Sequence, residues 1–319
     1  MTQRHVLLTG ASGLIGTALA AHLTASGFAV HKLARDTSSA AFNYDSHSKT
    51  VVLDSSIPLY AAVNLAGPSI ADGRWSERRK RDILENRRDL THALSSALAS
   101  ANTPPALYLS ASAIGYYGPS PDQGPASPHS GPCFDEHSPA GGDFLAEVGK
   151  SWEAATLPAR DAGIPTVHLR FGVVMSTQGG VLGKMLLPFS LCAGGRLGSG
   201  NQRMSWISLP DAIGILSSLL NRPEQAAALA DDNGATAINL VAGKPVTNAE
   251  FTRALGNALN RPTLLPLPSP VINLLFGEMG RALLLGSAAV CSTKVQALDY
   301  TLQHPNIEGA IEHLVSNRL

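Results

Sequence analysis

Charged residues are scarce in this sequence. They make up 15% of the 319 residues, against the roughly one quarter that is usual in soluble proteins. Lysine plus arginine and aspartate plus glutamate balance at 24 each, and the one basic run, RRKR at residues 78 to 81, is interleaved with acids at helical spacing. This pattern indicates a solvated helix face, and it gives no electrostatic reason to expect nucleic acid or an anionic membrane as a partner.

Cysteine is rare as well. The sequence contains Cys133, Cys192 and Cys291, an odd number at wide spacing, and no CxxC pair. This usage favours reduced thiols in a cytosol over a disulfide framework.

Metal-ligand spacing is also lacking. His129, Cys133 and His137 are four residues apart, which would align them on one helix face. Gly131 and Pro132 lie between them and prevent that helix, so we expect no metal site.

Long apolar runs are missing. The most apolar region, residues 264 to 291, is interrupted by three prolines and two charged residues, so it does not predict a membrane-spanning helix. The N-terminus enters a short apolar strand without the core of a signal peptide. We therefore predict a soluble, cytoplasmic protein.

Apolar runs alternate with helical segments along the first half of the chain. This alternation predicts an α/β fold, a Rossmann-type doubly wound parallel sheet with helices on both faces. After residue 175 the sequence becomes less regular and richer in glycine and proline. We predict a nucleotide-binding domain over 1–175, with a returning segment near 205–222, and a smaller α+β substrate lobe over 176–319. The predicted strands are at 5–10, 28–35, 49–53, 61–67, 106–112 and 166–175, the main helices are near 76–100, 143–162 and 210–221, and 118–132 is predicted to be a surface loop.

The first chemical motif is TGASGLIG, residues 9 to 16. Gly10, Gly13 and Gly16 follow a strand and open a helix, whose first backbone amides are unpaired and attract a pyrophosphate. The spacing alone is weak evidence, because a tight turn also needs small residues. A second strand within thirty residues makes a dinucleotide site the better interpretation.

The end of the second predicted strand bears on cofactor choice. It reads HKLARD, with Arg35 at the tip and Asp36 after it. An arginine pairs with a 2′-phosphate and favours NADP(H), whereas an inward Asp36 would favour NAD(H). We predict NADP(H), with surface placement of both side chains as the alternative.

Several motifs in order resemble one protein family. TGASGLIG, NLAG at 64 to 67 and SASAIGYYG at 110 to 118 are similar to the cofactor loop, fourth-strand motif and catalytic-serine strand of extended short-chain dehydrogenases/reductases. The rest of the chain resembles a branch of epimerase-family proteins with a C-terminal domain of unknown function. The phrases that carry this resemblance are NLAGPSIADGRW, GGDFLAEVGKSWE, GGVLGKMLLPF, GGRLGSGNQRMSWI and RPTLLPLPSP.

The resemblance implies a set of catalytic residues and one departure. In the superfamily a tyrosine four residues before a lysine transfers the proton, while a serine steadies the substrate carbonyl. Ser112 matches the serine and Lys150 the lysine, but Ala146 stands where the tyrosine would be. Tyr116 and Tyr117 are alternative proton donors, and packing is the alternative role for each.

The resemblance also implies the cofactor contacts. Lys150 would hold the nicotinamide ribose even without a neighbouring tyrosine. The predicted cofactor-binding residues are Gly10, Ser12, Gly13, Leu14, Ile15, Gly16, Arg35, Leu65, Ala66, Gly67, Ser110, Lys150, Gly172 and Val173.

The segment GSGNQRMSWISLPD suggests a substrate pocket. Gln202, Arg203, Ser205 and Trp206 offer an amide, a cation, a hydroxyl and an aromatic wall for a polar or anionic small molecule. Ser205 and Trp206 have an equally good structural interpretation as links between the two lobes.

A histidine is missing from the same segment. The branch leads us to expect a histidine-acid pair here, but ISLPD has Ser208 and then Asp211. We therefore infer no histidine acid or base at this place.

Two functions fit the sequence. The first is an NADP(H)-dependent oxidoreductase or epimerase-like enzyme acting on a small polar carbonyl or hydroxyl compound. The second is a non-catalytic NADP(H)-binding module for redox sensing or scaffolding. The superfamily resemblance further implies a homodimer formed through the helices near 76–100 and 143–162.

Overall fold

The computed structural model describes residues 3–37, 40–120, 133–230 and 235–318. The strands are β1 (His5–Thr9), β2 (Ala29–Lys32), β3 (Ala34–Arg35), β4 (Phe42–Asp45), β5 (Thr50–Leu53), β6 (Leu59–Asn64), β7 (Leu107–Ala113), β8 (Thr166–Phe171), β9 (Val173–Ser176), β10 (Arg203–Met204), β11 (Trp206–Ser208), β12 (Ala235–Leu240) and β13 (Val246–Thr247). The helices are α1 (Leu14–Ala25), α2 (Glu77–Ala99), α3 (Phe144–Ala154), α4 (Leu157–Asp161), α5 (Gly180–Ser190), α6 (Leu209–Asn221), α7 (Pro223–Ala228), α8 (Asn248–Leu259), α9 (Ser269–Leu283), α10 (Lys294–Ala297) and α11 (Ile307–Ser316), with a 3-10 turn at Ile114–Tyr117.

The central sheet is parallel throughout its described part. Its strand order is β12-β8-β7-β6-β1-β2, and every neighbouring pair runs in the same direction. The predicted α/β, Rossmann-type fold is therefore confirmed. The chain leaves β1 toward β2 on one side and returns to β6 on the other, which creates a crevice at the carboxyl ends of β1 and β6.

Helices cover both faces of the sheet because its strands are apolar on both sides. Along β1, Val6 and Leu8 join the core that contains Leu23 of α1 and residues of α6, whereas Leu7 joins the core that contains Leu94 of α2. This alternation is the period of two expected for a strand. Full burial of each such leucine contributes about 1.5 to 3 kcal/mol.

Three predicted strands differ from the observed elements. Residues 28–35 form β2 and β3, and β3 leaves the central sheet to pair with β4 and β5 in a small side sheet that includes residues 49–53. Residues 166–175 are divided into β8 and β9 at Gly172. A Cβ atom at Gly172 would lie 2.9 Å from the carbonyl oxygen of Ser205, so only glycine allows this close chain crossing.

The C-terminal part of the chain contributes to both lobes. Strand β12 is the edge strand of the central sheet, and α6 packs against α1, where His22 Nε2 lies 3.0 Å from Ser217 Oγ. Helices α8 and α11 form a separate core around Phe251 and Ile311. The domain boundary at residue 175 stays a prediction. Of the predicted surface loop, residues 121–132 lie outside the described residues.

The prediction of reduced thiols is wrong for two of the three cysteines. Cys133 and Cys291 form a disulfide, whereas Cys192 is free and exposed. The bonded pair is 158 residues apart in sequence, and it meets because Phe134 pairs with the segment around Val290. The spacing of Cys133 and Cys291 in the sequence does not indicate that they lie close together in the fold. The cytoplasmic location, which rested partly on reduced thiols, stays a prediction.

Two further features of the described chain concern metals and membranes. In residues 3–37, 40–120, 133–230 and 235–318 no group of three or more histidine, cysteine or acidic side chains is placed to hold a metal ion. Within the same ranges, every helix is too short or too polar to span a bilayer.

Candidate functional site

The glycine loop lies at the crevice between β1 and β6. Gly10 has a φ of +66°, and a Cβ atom there would lie 2.6 Å from the carbonyl carbon of Leu65. At Gly16 a Cβ atom would lie 2.1 Å from Gly10 O, so α1 can approach the loop only through glycine. Gly13 caps α1, and no described side chain caps that helix. The first amides of α1 are therefore available to an anion such as a pyrophosphate.

The chain after β6 is held beside this loop by buried hydrogen bonds. Thr9 Oγ1 donates to Asn64 Oδ1 at 2.6 Å and accepts from the backbone amides of Leu65 and Ala66 at 3.1 and 3.2 Å. Asn64 Nδ2 in turn donates to Thr91 Oγ1 at 2.8 Å. This network fixes the half-buried Leu65 and Ala66 at the carboxyl edge, where the sequence predicted cofactor contacts.

A buried arginine explains the glycine at position 67. A Cβ atom at Gly67 would lie 3.1 Å from the guanidinium of Arg87, which donates to the carbonyl oxygens of Pro68 and Ile83 at 2.7 and 3.0 Å. Burial, with a smaller contribution from the charge of Arg79, lowers the pKa of Arg87 to about 10. Arg87 thus positions the turn that follows β6.

The two residues predicted to select the cofactor have different environments. Asp36 has a φ of +54°, and its carboxylate accepts from the backbone amide and the hydroxyl of Ser46 at 2.8 and 2.9 Å. Arg35 is exposed at the end of β3. Because the acid is already engaged by Ser46, the arginine is the charged group left to meet an adenosine ribose.

The other predicted cofactor residues are divided between surface and interior. Ser12 is exposed and Leu14 and Ile15 are half-buried, whereas Ser110 is fully buried inside β7. Val173 is half-buried, and its backbone amide donates to Ser205 O at 2.9 Å.

Ser112 is part of a buried ionic network. Its hydroxyl donates to Glu153 Oε1 at 2.7 Å, and Arg170 binds the same carboxylate through Nε and Nη2 at 2.7 and 2.8 Å. Burial alone would raise the pKa of Glu153, but the hydrogen bond from Arg170, the charge of His168 and the hydrogen bond from Ser112 hold it below its usual value. Ser112 is only 2% exposed, so its hydroxyl lies between β7 and α3 and not at the open crevice.

The two candidate tyrosines have different environments. Tyr117 is buried, donates to Asn239 Oδ1 at 2.7 Å and accepts from Arg170 Nη1 at 2.8 Å. Burial raises the pKa of Tyr117 to about 12. Tyr116 is half-buried, its ring lies 3.6 Å below the guanidinium of Arg170, and its hydroxyl has no hydrogen-bond partner among the described residues. The Tyr116 hydroxyl therefore has no hydrogen bond within the described chain that a ligand would have to replace.

Helix α3 places the lysine outward and the alanine inward. Lys150 is exposed, and its ammonium donates to Gly141 O at 3.4 Å. Ala146 is completely buried. A Cβ atom at Gly149 would lie 3.1 Å from the Cα atom of Tyr116, so the backbone of Tyr116 packs against α3 one residue before Lys150. The tyrosine that the resemblance leads us to expect at 146 would have no open space.

Replacing Ala146 by tyrosine tests this packing. We expect Ala146→Tyr to lower the free energy of unfolding by about 1 to 3 kcal/mol or more, since a phenol must be forced into a filled interior. Glu147→Tyr, at the exposed neighbouring position, should stay within about 0.5 kcal/mol of the wild type. Urea unfolding of both variants is the measurement, and equal stability of the two would show that position 146 faces an open cavity.

The predicted substrate residues have mainly structural contacts. Gln202 Nε2 donates to the carbonyl oxygens of Leu197 and Leu284 at 3.0 and 2.9 Å. The Ser205 hydroxyl accepts from Val290 N at 2.7 Å, which joins β10 and β11 to the C-terminal segment.

The remaining two predicted substrate residues are both buried and partly unsatisfied. Trp206 is 1% exposed in the second core, and its indole Nε1 has no partner in the described chain. The Arg203 guanidinium differs from the others: the residue is 6% exposed, yet within the described ranges its side chain forms no hydrogen bond or ion pair.

His304, which the sequence did not predict as part of any site, lies beside Asp211. His304 Nδ1 lies 3.1 Å from Ser208 Oγ and 3.5 Å from Asp211 Oδ2. Asp211 is fully buried and also accepts from the backbone amides of Gln303 and His304 at 2.7 and 3.1 Å. This cluster fastens the segment around residue 304 to the start of α6. Ser208 and His304 are 96 residues apart in sequence, so no spacing pattern could have predicted this cluster.

Comparison with known proteins places this site in a family. A family model described as "NAD dependent epimerase/dehydratase family" matches residues 6–231, and a model for "Domain of unknown function (DUF1731)" matches residues 267–314. Epimerase family protein MT2273 of Mycobacterium tuberculosis is 38% identical over 314 residues, covering 98% of this chain and 97% of that protein. Human epimerase family protein SDR39U1 is 35% identical over 317 residues, covering 98% of this chain and 99% of its own length.

A solved structure extends the likeness to the fold. The crystal structure of human SDR39U1 (isoform 2) with NADPH superposes with a TM-score of 0.82 at 33% identity, covering 98% of this chain and 99% of that one. The chain therefore belongs to the NAD dependent epimerase/dehydratase family, and it carries a C-terminal domain of unknown function at residues 267–314.

Proposed function

We propose that the protein is an NADP(H)-dependent oxidoreductase or epimerase-like enzyme acting on a small polar carbonyl or hydroxyl compound. The observation that carries the proposal is the crevice between β1 and β6, where α1 starts without a side-chain cap, together with the exposed Arg35 at the end of β3. The engagement of Asp36 by Ser46 makes NAD(H) the less favoured cofactor. The human SDR39U1 crystal structure contains NADPH, which supports the same choice.

The residues of this chain fit the parts of such a cofactor. The amides of α1 would hold the pyrophosphate, Arg35 the 2′-phosphate and Lys150 the nicotinamide ribose. When bound, the nicotinamide supplies or accepts a hydride. The protein must supply a proton to the substrate oxygen in the reducing direction and accept a proton from it in the oxidising direction.

Tyr116 is the proton donor that we propose. Ala146 has no acidic group, Ser112 is occupied by Glu153, and Tyr117 is occupied by Asn239 and Arg170. Tyr116 has a phenol without a partner among the described residues, and its backbone lies against α3 beside Lys150. Its hydroxyl would transfer a proton to or from the substrate oxygen.

Arg203 is the substrate residue with the strongest support. The residue is 6% exposed, and its guanidinium has no anionic partner among the described residues, so its charge is available to pair with a bound anion. We therefore propose that the substrate carries a negative charge that pairs with Arg203. The roles of Gln202, Ser205 and Trp206 in substrate binding remain proposals, and their contacts support a role in shaping the pocket.

The cofactor assignment predicts a selective loss of affinity. Arg35→Ala should weaken NADPH by about 1.5 to 3 kcal/mol, the contribution of a charged hydrogen bond, and leave NADH nearly unchanged. Fluorescence titration of both cofactors measures the effect, and Lys32→Ala, an exposed cation three residues earlier, is the control. An equal loss for NADPH and NADH would rule out the contact with the 2′-phosphate.

One observation favours the alternative, a non-catalytic NADP(H)-binding module. The hydroxyl of Ser112 is turned away from the crevice into the Glu153 network, so two of the three residues of the superfamily's catalytic set are missing from the site. Absence of turnover on a panel of carbonyl compounds, with NADPH bound, would favour this module over the enzyme.

The homodimer through the helices near 76–100 and 143–162 also stays a proposal. Among the described residues, one large exposed apolar side chain, Leu157 of α4, lies in these ranges, and the others include Leu187, Leu264 and Leu274. A monomer of 33.2 kDa in sedimentation would contradict it.

A further inference from the structure

A cavity in the C-terminal lobe lies outside the site described above. Its volume is about 350 Å³, and its lining residues are Arg196, Ala249, Thr252, Arg253, Thr263, Leu264 and Pro266. None of these residues belongs to the predicted cofactor, catalytic or substrate set. The cavity therefore needs its own explanation.

The walls of the cavity are fixed by the backbone. Ala249, Thr252 and Arg253 share one face of α8 because they are three and four residues apart. The opposite wall consists of residues that come after α8 in the sequence. A hydrogen bond from Leu267 N to Arg196 O at 2.9 Å holds this wall in place. A Cβ atom at Gly256 would lie 2.5 Å from Thr263 Cγ2, so the chain folds back tightly onto α8.

The polar groups of this cavity lack partners. The side chains of Arg196 and Arg253 are exposed and form no hydrogen bond or ion pair within the described ranges, and the lining includes no acidic side chain. Thr252 is 4% exposed, and its hydroxyl has no hydrogen-bond partner in the part of the chain that the structure describes. Thr252 lines the cavity, so this hydroxyl is available to form a hydrogen bond with a ligand there.

We propose that this cavity binds a small organic anion. Arg196 and Arg253 would pair with its carboxylate or phosphate group, and Thr252 would add a hydrogen bond to the same group. Leu264 and Pro266, on the opposite wall, would contact an apolar body attached to the charged group. This site is independent of the proposed cofactor and substrate sites.

Titration with simple probes tests the proposal. Hexanoate and hexyl phosphate should each bind with a dissociation constant of about 1 mM or tighter. Inorganic phosphate should bind more weakly than hexyl phosphate, because it lacks the apolar body. A tighter complex with hexyl phosphate than with hexanoate would identify the charged group as a phosphate, and the reverse order as a carboxylate. Calorimetry gives the affinities, and amide NMR shifts at Ala249 and Arg253 give the location.

Variants separate this cavity from a general surface effect. Arg253→Gln should weaken the tighter probe about tenfold or more, and Thr252→Val should weaken it severalfold. Arg78→Gln, which removes an exposed arginine on α2, should change nothing. NADPH affinity should be the same in all three variants, so the result does not depend on the proposed function.

Three results would overturn the proposal. The first is that Arg253→Gln leaves the affinity for both probes unchanged. The second is that inorganic phosphate binds as tightly as hexyl phosphate. The third is NMR shifts confined to the glycine loop, which would show that the probes bind at the cofactor site.

Discussion

Glu153→Gln is expected to lower the free energy of unfolding by about 3 to 5 kcal/mol, because it leaves the buried Arg170 without a matching charge. The side chains of Glu153 and Arg170 are 10% and 5% exposed, so water cannot replace the lost partner. The substitution keeps the shape of the side chain, and the loss is therefore electrostatic. Urea unfolding at pH 7 is the measurement.

The same network predicts a dependence on pH. Because the pKa of Glu153 is lower in the folded protein than its usual value of 4.5, the carboxylate contributes its full stability above about pH 4.5. That contribution is lost as the pH falls toward the folded pKa. The stability difference between wild type and Glu153→Gln should therefore shrink below about pH 4.5.

An exposed ion pair is the matched control for Glu153→Gln. Lys184 and Asp72 are 3.1 Å apart with side chains 64% and 61% exposed. Asp72→Asn should cost less than about 1 kcal/mol, since water screens such pairs. Equal effects of Asp72→Asn and Glu153→Gln would mean that the buried network does not have the charge state assigned to it.

Tyr116→Phe is expected to reduce NADPH-dependent turnover about 10²- to 10⁴-fold, the usual contribution of one general acid. The ring and its contact with the Arg170 guanidinium stay in place, so only the hydroxyl is lost. NADPH affinity should be unchanged. Steady-state NADPH oxidation with a panel of carbonyl compounds measures the effect.

Tyr117→Phe separates chemistry from packing. Its hydroxyl is buried between Asn239 and Arg170, so the substitution should cost about 1 to 3 kcal/mol of stability by leaving those groups unsatisfied. Turnover of the folded variant should be close to that of the wild type. If Tyr117→Phe removes turnover and Tyr116→Phe does not, the roles assigned to the two tyrosines are exchanged.

The central sheet and the glycine loop could be predicted because local sequence patterns indicate both of them. An apolar run followed by three glycines and a helix has one common arrangement, and the structure confirms it at β1 and α1. Gly10 and Gly16 are explained by contacts shorter than 3 Å that any Cβ would make. These features depend on residues close together in the chain.

The interior of the candidate site could not be predicted in the same way. Ser112 matches the family pattern by position and Ala146 departs from it, but the burial of both residues depends on Glu153, Arg170 and the packing of α3. Sequence spacing does not say which face of a strand or helix a partner from elsewhere will cover. The Cys133–Cys291 bond and the approach of His304 to Asp211 are contacts of the same kind, across 158 and 93 residues.

The most direct test of the central claim is the ratio of the dissociation constants of NADH and NADPH for the wild-type protein. The claim is that the start of α1 holds the pyrophosphate and that Arg35 selects the 2′-phosphate. Titration by nicotinamide fluorescence gives both constants in one buffer. We expect NADPH to bind about 10- to 100-fold more tightly than NADH. Equal affinities would contradict the selection by Arg35, and no binding of either cofactor would contradict the site itself.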